Sequence, residues 1–338
     1  MKLVKYGLAS LIIGASTMLA QAQDVMTARL GHVYADNSPL GAAAHRFVER
    51  INDATDGALK IEVFPNGQIG SDEAMARELA RGTLEFAFLN LGPLSGLDPV
   101  LDIHSLPYTA TNFDEARKLF LNEEGVIRKT HAEALDKLGI RYLGTYSIEF
   151  RSITNSGKPV VSPDDVSGMK IRIYNSPAIK ALFDKMGAQT VLMPFTELFV
   201  ALQQGTVDGQ ENGPILSHTS GLMETQKYMT LTNHLFGISG IVISQRFWDK
   251  LTPGQQEAVL EVSREISEET FNEAEEATAQ AVEAVKAMGV EVVELTPEQM
   301  SAFVEVGRST WTDLEPVFGA DRISAVREEV EKISAGAN

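Results

Sequence analysis

Residues 26–89 read MTARLGHVYADNSPLGAAAHRFVERINDATDGALKIEVFPNGQIGSDEAMARELARGTLEFAFL, and the order of patterns within them decides the fold class. Met26 to Val33 reads as a strand. Pro39 to Ala54 reads as a helix, with Ser38 as its N-cap and Gly57 beyond its end. Leu59 to Phe64 is a second strand, closed by the turn Pro65-Asn66-Gly67. Ser71 then caps a second helix whose first turn holds Asp72 and Glu73, favourable at the positive end of the helix dipole, and Gly82 ends it. Leu84 to Leu89 is a third strand. This β-α-β-α-β order implies a parallel sheet covered by helices on both faces.

Outward from that stretch the pattern continues and then starts again. Helices near Asn112 to Leu138 lead to a strand at Ile140 to Thr145. Met169 to Tyr174 reads as a strand, Pro177 to Met186 as a helix ended by Gly187, Gln189 to Leu192 as a strand and Phe195 to Gln204 as a helix ended by Gly205. A second α/β lobe is the simplest account, and no repeat of fixed period accompanies it. The last third differs: from Pro253 to about Ala287, apolar Val259, Val262, Ile266, Phe271, Ala274, Ala281 and Val285 alternate with acids as an amphipathic helix requires. Such a helix would be a rod of roughly 52 Å, longer than one ordinary lobe. It is read either as a brace crossing both lobes or as a broken helix, because its spacing is too irregular for sustained heptads.

Composition removes several classes of function. The chain has 338 residues, no cysteine, and 29 Lys+Arg against 46 Asp+Glu, for a net charge of −17. Without cysteine there is no disulfide framework, thiolate metal site, iron–sulfur cluster or Cys nucleophile. The strongly acidic balance argues against nucleic acid as a partner. Met1 to Ala22 carries Lys2 and Lys5, then an apolar run from Gly7 to Ala20, then the small-x-small site Ala20-Gln21-Ala22. It reads as a cleaved secretory signal peptide, the run being too short and too interrupted by Ser10, Gly14, Ser16 and Thr17 for a membrane span. Cleavage would leave 338 − 22 = 316 residues beginning at Gln23, with net charge −17 − 2 = −19. The mature protein is therefore expected in the periplasm, in two domains.

Enzyme signatures are missing: no His-Glu-x-x-His, Gly-x-Ser-x-Gly, phosphate loop, Gly-x-Gly-x-x-Gly or calcium loop occurs. The histidines His32, His45, His104, His131, His218 and His234 have no metal-ligand spacing, so neither a catalytic residue, a metal nor a cofactor is expected. What remains is a segment from Phe150 to Asn212 that is dense in groups able to recognise an organic anion. Arg151 opens it, and Arg172 sits mid-strand in Gly-Met-Lys-Ile-Arg-Ile. Strand alternation puts Arg172 on one side with Lys170 and Tyr174, and Ile171 and Ile173 on the other. Each arginine is also readable as a solvated surface charge. A guanidinium at the carboxyl end of a strand in an open α/β sheet, however, can grip a carboxylate with two parallel hydrogen bonds. Further on, Pro194-Phe195-Thr196-Glu197 opens a helix that Gly205 ends, and the Asp208-Gly209 turn delivers Gln210-Glu211-Asn212.

At these residues the sequence resembles the substrate-binding proteins of tripartite ATP-independent periplasmic (TRAP) transporters, the DctP family. The similarity covers essentially the whole mature chain. Its most specific parts are Phe-Pro-Asn-Gly-Gln-Ile-Gly at 64–70, Leu-Pro-Tyr at 106–108, Gly-Met-Lys-Ile-Arg at 168–172 and the run from Pro194 to Asn212. The resemblance implies an α/β, two-lobe periplasmic binding protein of the type II-like, Venus-flytrap kind, with crossing hinge strands and a long brace helix. Lobe I would hold 23–148 plus about 238–275, and lobe II 149–237 plus about 276–338, with the helix at about 253–287 spanning both. By the same resemblance Arg172 matches the arginine that holds the substrate carboxylate and Arg151 a second arginine nearby. Phe195 matches an aromatic pocket residue, Asn212 a residue that hydrogen-bonds the ligand, and Asn175 another contact. His32, Asp72 and Asn90 fall at positions that face the cleft. Asn90 replaces the glutamate of some sialic-acid binders, which puts that ligand in doubt. Glu149 stands where many members have Gly, and reads as a partner for a binding arginine, an acceptor for ligand hydroxyls or an exposed strand residue.

The expectation is a monomeric receptor and not a catalyst. It closes on a small organic acid and delivers it to the small and large membrane subunits of a TRAP permease. A hydroxylated, sugar-acid-type carboxylate is favoured. A C4-dicarboxylate using Arg151 as second anchor is the alternative, with keto acids, sulfonates and zwitterions behind it. A periplasmic sensor or an enzyme on the same fold are the readings from other classes. Because the whole chain is acidic, anion capture must rest on the local arginines. The excess acid, Glu257, Glu261, Glu265, Glu268, Glu269, Glu273, Glu275 and Glu276, is expected on a solvated face of the long helix.

Overall fold

A computed structural model of the chain describes residues 25–336; the expected signal peptide and its cleavage site lie outside the described residues. The opening stretch folds in the expected order: β1 (Met26–Gly31), α1 (Pro39–Ala54), β2 (Leu59–Phe64), α2 (Asp72–Arg81) and β3 (Phe86–Asn90). The side chains of Ser38 and Ser71 accept the amides of Gly41 and Ala74, satisfying donors that each helix start leaves unpaired. Two 3₁₀ turns, Gly92–Gly96 and Pro99–Ser105, lead to α3 (Phe113–Phe120), α4 (Val126–Lys137) and β4 (Ile140–Phe150).

A second group follows: β5 (Ile153–Asn155), β6 (Lys170–Ile173), α5 (Pro177–Lys185), β7 (Gln189–Leu192), α6 (Leu198–Gln203), β8 (Gly209–Gln210), α7 (Pro214–Thr219) and β9 (Tyr228–Thr230). The helix expected from Phe195 begins as a 3₁₀ turn, Phe195–Glu197, before α6. The chain ends with β10 (Phe236–Ser244), α8 (Gln245–Trp248), α9 (Pro253–Ala287), β11 (Glu291–Val293), α10 (Pro297–Asp313), α11 (Glu315–Phe318) and α12 (Ala320–Ala335).

These strands form two sheets and hence two lobes, ordered β2-β1-β3-β10-β4 and β11-β9-β5-β8-β6-β7. The first sheet is parallel across β2, β1 and β3, as the opening stretch implies, but β10 inserts antiparallel between β3 and β4. The reason is chain path. The chain leaves the first sheet after Phe150 of β4, builds most of the second sheet, and returns through β10, which must run opposite to β4 to pair with it. These two strands are the crossing strands, and α9 followed by β11 makes a third passage between the sheets.

Helix α9 is unbroken over 35 residues, with a capping box at Thr252 and Gln255. It packs on β4, α1, α7 and α3 and meets β11, so it braces both lobes. Its acidic face is not wholly solvated. Arg50 of α1 binds Glu265 at 3.1 Å and Glu269 at 2.6 Å. Arg46 binds Glu269 at 3.3 Å and Glu273 at 2.8 Å, and Arg117 pairs with Glu268. Helix α12, expected with the second lobe, packs on α3 and α4. There Phe120, Phe236, Phe271, Trp311 and Phe318 form a core at the crossing strands, separate from those around Phe47 in the first lobe and Phe183 in the second.

Candidate functional site

A cleft lies between the two sheets. Asp72, Glu73 and Asn90 face it from the first lobe, and Arg172, Phe195 and Asn212 from the second. Several are delivered by element ends. Asp72 is the first residue of α2, Asn90 the last of β3, and Phe195 the first residue of the 3₁₀ turn before α6. Arg151 follows β4 directly and Asn212 follows β8. Arg172 sits within β6, held between β7 and β8.

Arg172 is among the largest fully buried side chains of the described residues, 1% exposed. Its Nε and one Nη donate to the Met193 carbonyl at 3.1 and 2.8 Å, and its guanidinium lies 5.9 Å from the Phe195 ring centre. Those bonds set the plane of the fork and leave its other Nη without a hydrogen-bond partner among the described residues. No carboxylate of the described residues pairs with it. Burial pulls its pKa down to about 10, with Glu211 opposing and Arg151 assisting, so it remains a cation at neutral pH. An unpaired buried cation is costly unless an anion meets it.

Arg151 is buried too, but its fork is engaged. Nε and Nη2 donate to the two carboxylate oxygens of Glu211, each at 2.6 Å. His234 approaches the same carboxylate at 3.4 Å and bonds the Thr232 hydroxyl at 2.8 Å through Nδ1. Burial alone would raise the Glu211 carboxyl, but the charge of Arg151 and the His234 contact outweigh it and hold the carboxyl below its ordinary value. The Arg151 guanidinium also lies 5.2 Å from the centre of the Tyr174 ring, whose hydroxyl bonds Ser105 at 2.9 Å.

The first-lobe wall is rich in acceptors. Asp72 accepts the Asn90 amide at 3.0 Å, and the Asn90 side chain accepts the Gly92 amide at 3.2 Å. Burial, helped by the neighbouring Glu73 and opposed by the Asn90 amide and Arg172, pushes Asp72 up to about 7. On the other wall, both the backbone amide and the side-chain amide of Asn212 donate to Gln210 at 2.6 Å.

Six of the nine residues singled out in the sequence therefore meet at one cavity: Arg172, Arg151, Asn212, Phe195, Asn90 and Asp72. Three do not. His32 is fully buried behind Tyr34, the rings stacked at 5.6 Å, and it is Tyr34 that reaches the cavity. Asn175 is exposed beside Gly96, and its backbone carbonyl accepts the Ser95 hydroxyl. Glu149 is neither exposed nor on the cavity wall: β4 is bulged at Ile148, and it is Ile148 that lines the cavity. Its carboxylate accepts the amides of Ile215 and Leu216 at 2.5 and 2.8 Å.

The sequence reading missed Glu73, Tyr34 and Tyr174 as wall residues. Tyr174 was signalled by its alternation with Arg172, and Glu73 by its place beside Asp72. The pairing of Glu211 with Arg151 joins residues 60 apart and left no local signal.

Comparison with known proteins places the chain in a family. The family model described as "Bacterial extracellular solute-binding protein, family 7" (DctP) matches residues 30–315. The chain is 30% identical over 303 residues to the C4-dicarboxylate-binding periplasmic protein DctP of Rhodobacter capsulatus, covering 88% of this chain and 89% of that one. Its fold is similar to the crystal structure of a sugar acid binding protein from Advenella mimigardefordensis in complex with galactonate, at TM-score 0.87 and 28% identity, covering 92% and 99% of the two chains. It is also similar to a TRAP periplasmic solute binding protein of Sulfurospirillum deleyianum with bound succinate, at TM-score 0.82 and 29% identity, covering 89% and 98%.

Proposed function

Since the chain belongs to family 7 of the bacterial extracellular solute-binding proteins, the DctP family, we propose that its interlobe cavity captures a hydroxylated organic acid with a single carboxylate, of the sugar-acid type. The protein is a TRAP transporter solute-binding component and not an enzyme. The observation that carries the ligand assignment is the buried fork of Arg172, which no carboxylate of the described residues neutralises. The ligand carboxylate meets that fork, with Asn212 beside it and Phe195 against the carbon chain. The remainder meets Asp72, Glu73 and Asn90, groups that accept hydrogen bonds from hydroxyls.

Charge decides between the two main ligand classes. The second carboxylate of a C4-dicarboxylate needs a second cation. Arg151 is committed to Glu211 through both carboxylate oxygens, and the opposite wall carries two acids. The Rhodobacter relative and the succinate-bound neighbour keep the dicarboxylate as the second reading.

Each lobe supplies half of the contacts, so ligand favours the closed arrangement. Lobe I comprises 23–148 plus about 238–275, and lobe II 149–237 plus about 276 onward, with helix α12 seated on α3 and α4. The mature chain acts in the periplasm as a monomer after loss of Met1–Ala22, and presents the acid to the small and large permease subunits. Native mass spectrometry of the purified protein tests the ligand class. The retained acid should have one carboxyl and several hydroxyls. A retained mass equal to succinate, fumarate or malate would replace it with the dicarboxylate.

A further inference from the structure

The Glu149 carboxyl is 1% exposed, yet it touches neither the cavity nor the fork of Arg151. Its two oxygens accept the amides of Ile215 and Leu216 at 2.5 and 2.8 Å. Those are donors of the first turn of α7, whose N-cap is Gly213 with no side-chain cap of its own. The carboxylate of a distant strand thus supplies what a capping side chain supplies in α1 and α2. The approach is tight. A Cβ on Gly213 would lie 2.3 Å from the Glu149 carboxyl carbon and 2.3 Å from the Phe150 carbonyl oxygen, so only glycine lets the strand and the helix start meet. Beside this contact the Ser152 amide donates to the Asn212 carbonyl at 3.2 Å.

The segment held in this way bears three groups that build the cavity. Glu211 fixes the Arg151 fork, and Asn212 and Leu216 line the wall. Glu149 itself belongs to β4, one of the crossing strands on which the lobes turn. We propose that Glu149 is a positioning residue for ligand binding: its carboxylate pins the start of α7 to the end of β4 and thereby sets Glu211, Asn212 and Leu216 at the cavity wall. Its contribution to affinity rests on the reading that this cavity holds the acid; the pinning itself does not.

Glu149→Gln keeps the shape but exchanges one acceptor oxygen for a donor, and Glu149→Ala removes both acceptors. Two measurements on the mature chain separate the parts of the proposal. In amide exchange, Ile215 and Leu216 should exchange faster in both variants while β6 and β10 keep their protection. In calorimetric titration with galactonate and with succinate, Glu149→Ala should weaken the better of the two by on the order of tenfold or more, as loss of charge-assisted hydrogen bonds does. Glu149→Gln should recover part of that loss. Asn212→Ala should cost less in the Glu149→Ala background than alone, because the side chain it removes is already misplaced. Unchanged exchange at Ile215 and Leu216 overturns the pinning. Accelerated exchange with wild-type affinity, or strictly additive effects with Asn212→Ala, overturns the link to binding. If the wild-type protein binds neither acid the ligand reading fails, and amide exchange still judges the pinning.

Discussion

Asp72 and Arg172 face one cavity from opposite lobes, and under the proposed function the discrimination between acids rests on their opposition. Asp72 carries a buried carboxyl raised to about 7; its ionised form, which prevails above that pH, repels a second ligand carboxylate and accepts from a hydroxyl. Asp72→Asn removes the repulsion while keeping an acceptor for the Asn90 amide. The ratio of galactonate to succinate affinity should fall about tenfold, roughly 1.4 kcal/mol, in paired calorimetric titrations; an unchanged ratio would remove Asp72 from specificity. Single residues were legible in the sequence where strand alternation spoke for them. Arg172 stands on the side of β6 opposite Ile171 and Ile173, both fully buried, and reaches the cavity as that pattern allows. Glu149 shares its parity with Arg151, so alternation alone leaves it facing the ligand; the bulge at Ile148, where Ser147 and Glu149 pair with the consecutive residues Ile238 and Gly237, breaks that alternation. His32 was misplaced because Tyr34 shares its side of the chain and stands in front of it, a matter of depth that spacing does not encode.

At the scale of elements, the crossing strands carry the joint between the lobes. Phe236 opens β10, is fully buried, and meets Phe150 at 4.9 Å, Phe271 at 5.7 Å and Phe120 at 6.0 Å between ring centres. Phe236→Ala should cost about 3–5 kcal/mol of stability, read as a lowered denaturant midpoint. The ion pairs of α9 with α1 are a contrast. Arg50 and Glu265 retain 34% and 49% side-chain exposure, so Arg50→Ala should cost about 1 kcal/mol or less, and less still in high salt. Elements with local punctuation, such as α1 between Ser38 and Gly57 or α9 from its Pro253 start, were legible to within a residue or two. Strand β10 was not, because its place between β3 and β4 depends on a partner laid down about a hundred residues earlier. The parallel order of β2, β1 and β3 was legible in the opening stretch, whereas the antiparallel entry of β10 beside β3 was not.

At the scale of the whole molecule, an acidic chain of net charge −17 builds its site from a few buried charges, and these make stability depend on pH. Burial lifts Asp72, Asp102 and Glu149 to about 7 each. Between their ordinary values and pH 7 the folded protein keeps protons that the unfolded chain has released, so these groups add stability as pH falls through 7. Burial also lowers His32 and His104 to about 4, and His131 and His234 in the same direction. Below about pH 6.5 the unfolded chain takes up protons that these histidines refuse, which removes stability. The melting temperature should therefore rise as pH falls from 8 to about 6.5 and stop rising below it. A steady fall from pH 8 to 6.5 in scanning calorimetry would contradict the burial of these carboxyls.

The central claim is that one buried arginine fork between two lobes captures an organic acid, and titration calorimetry of Arg172→Ala beside the wild-type protein, using galactonate, galacturonate, erythronate and succinate, tests it most directly. Removing the fork leaves a buried ligand carboxylate unpaired, at a cost on the order of 3–5 kcal/mol, so the best-bound acid should lose more than a hundredfold in affinity while the variant keeps its fold. Undiminished affinity in Arg172→Ala would contradict the account.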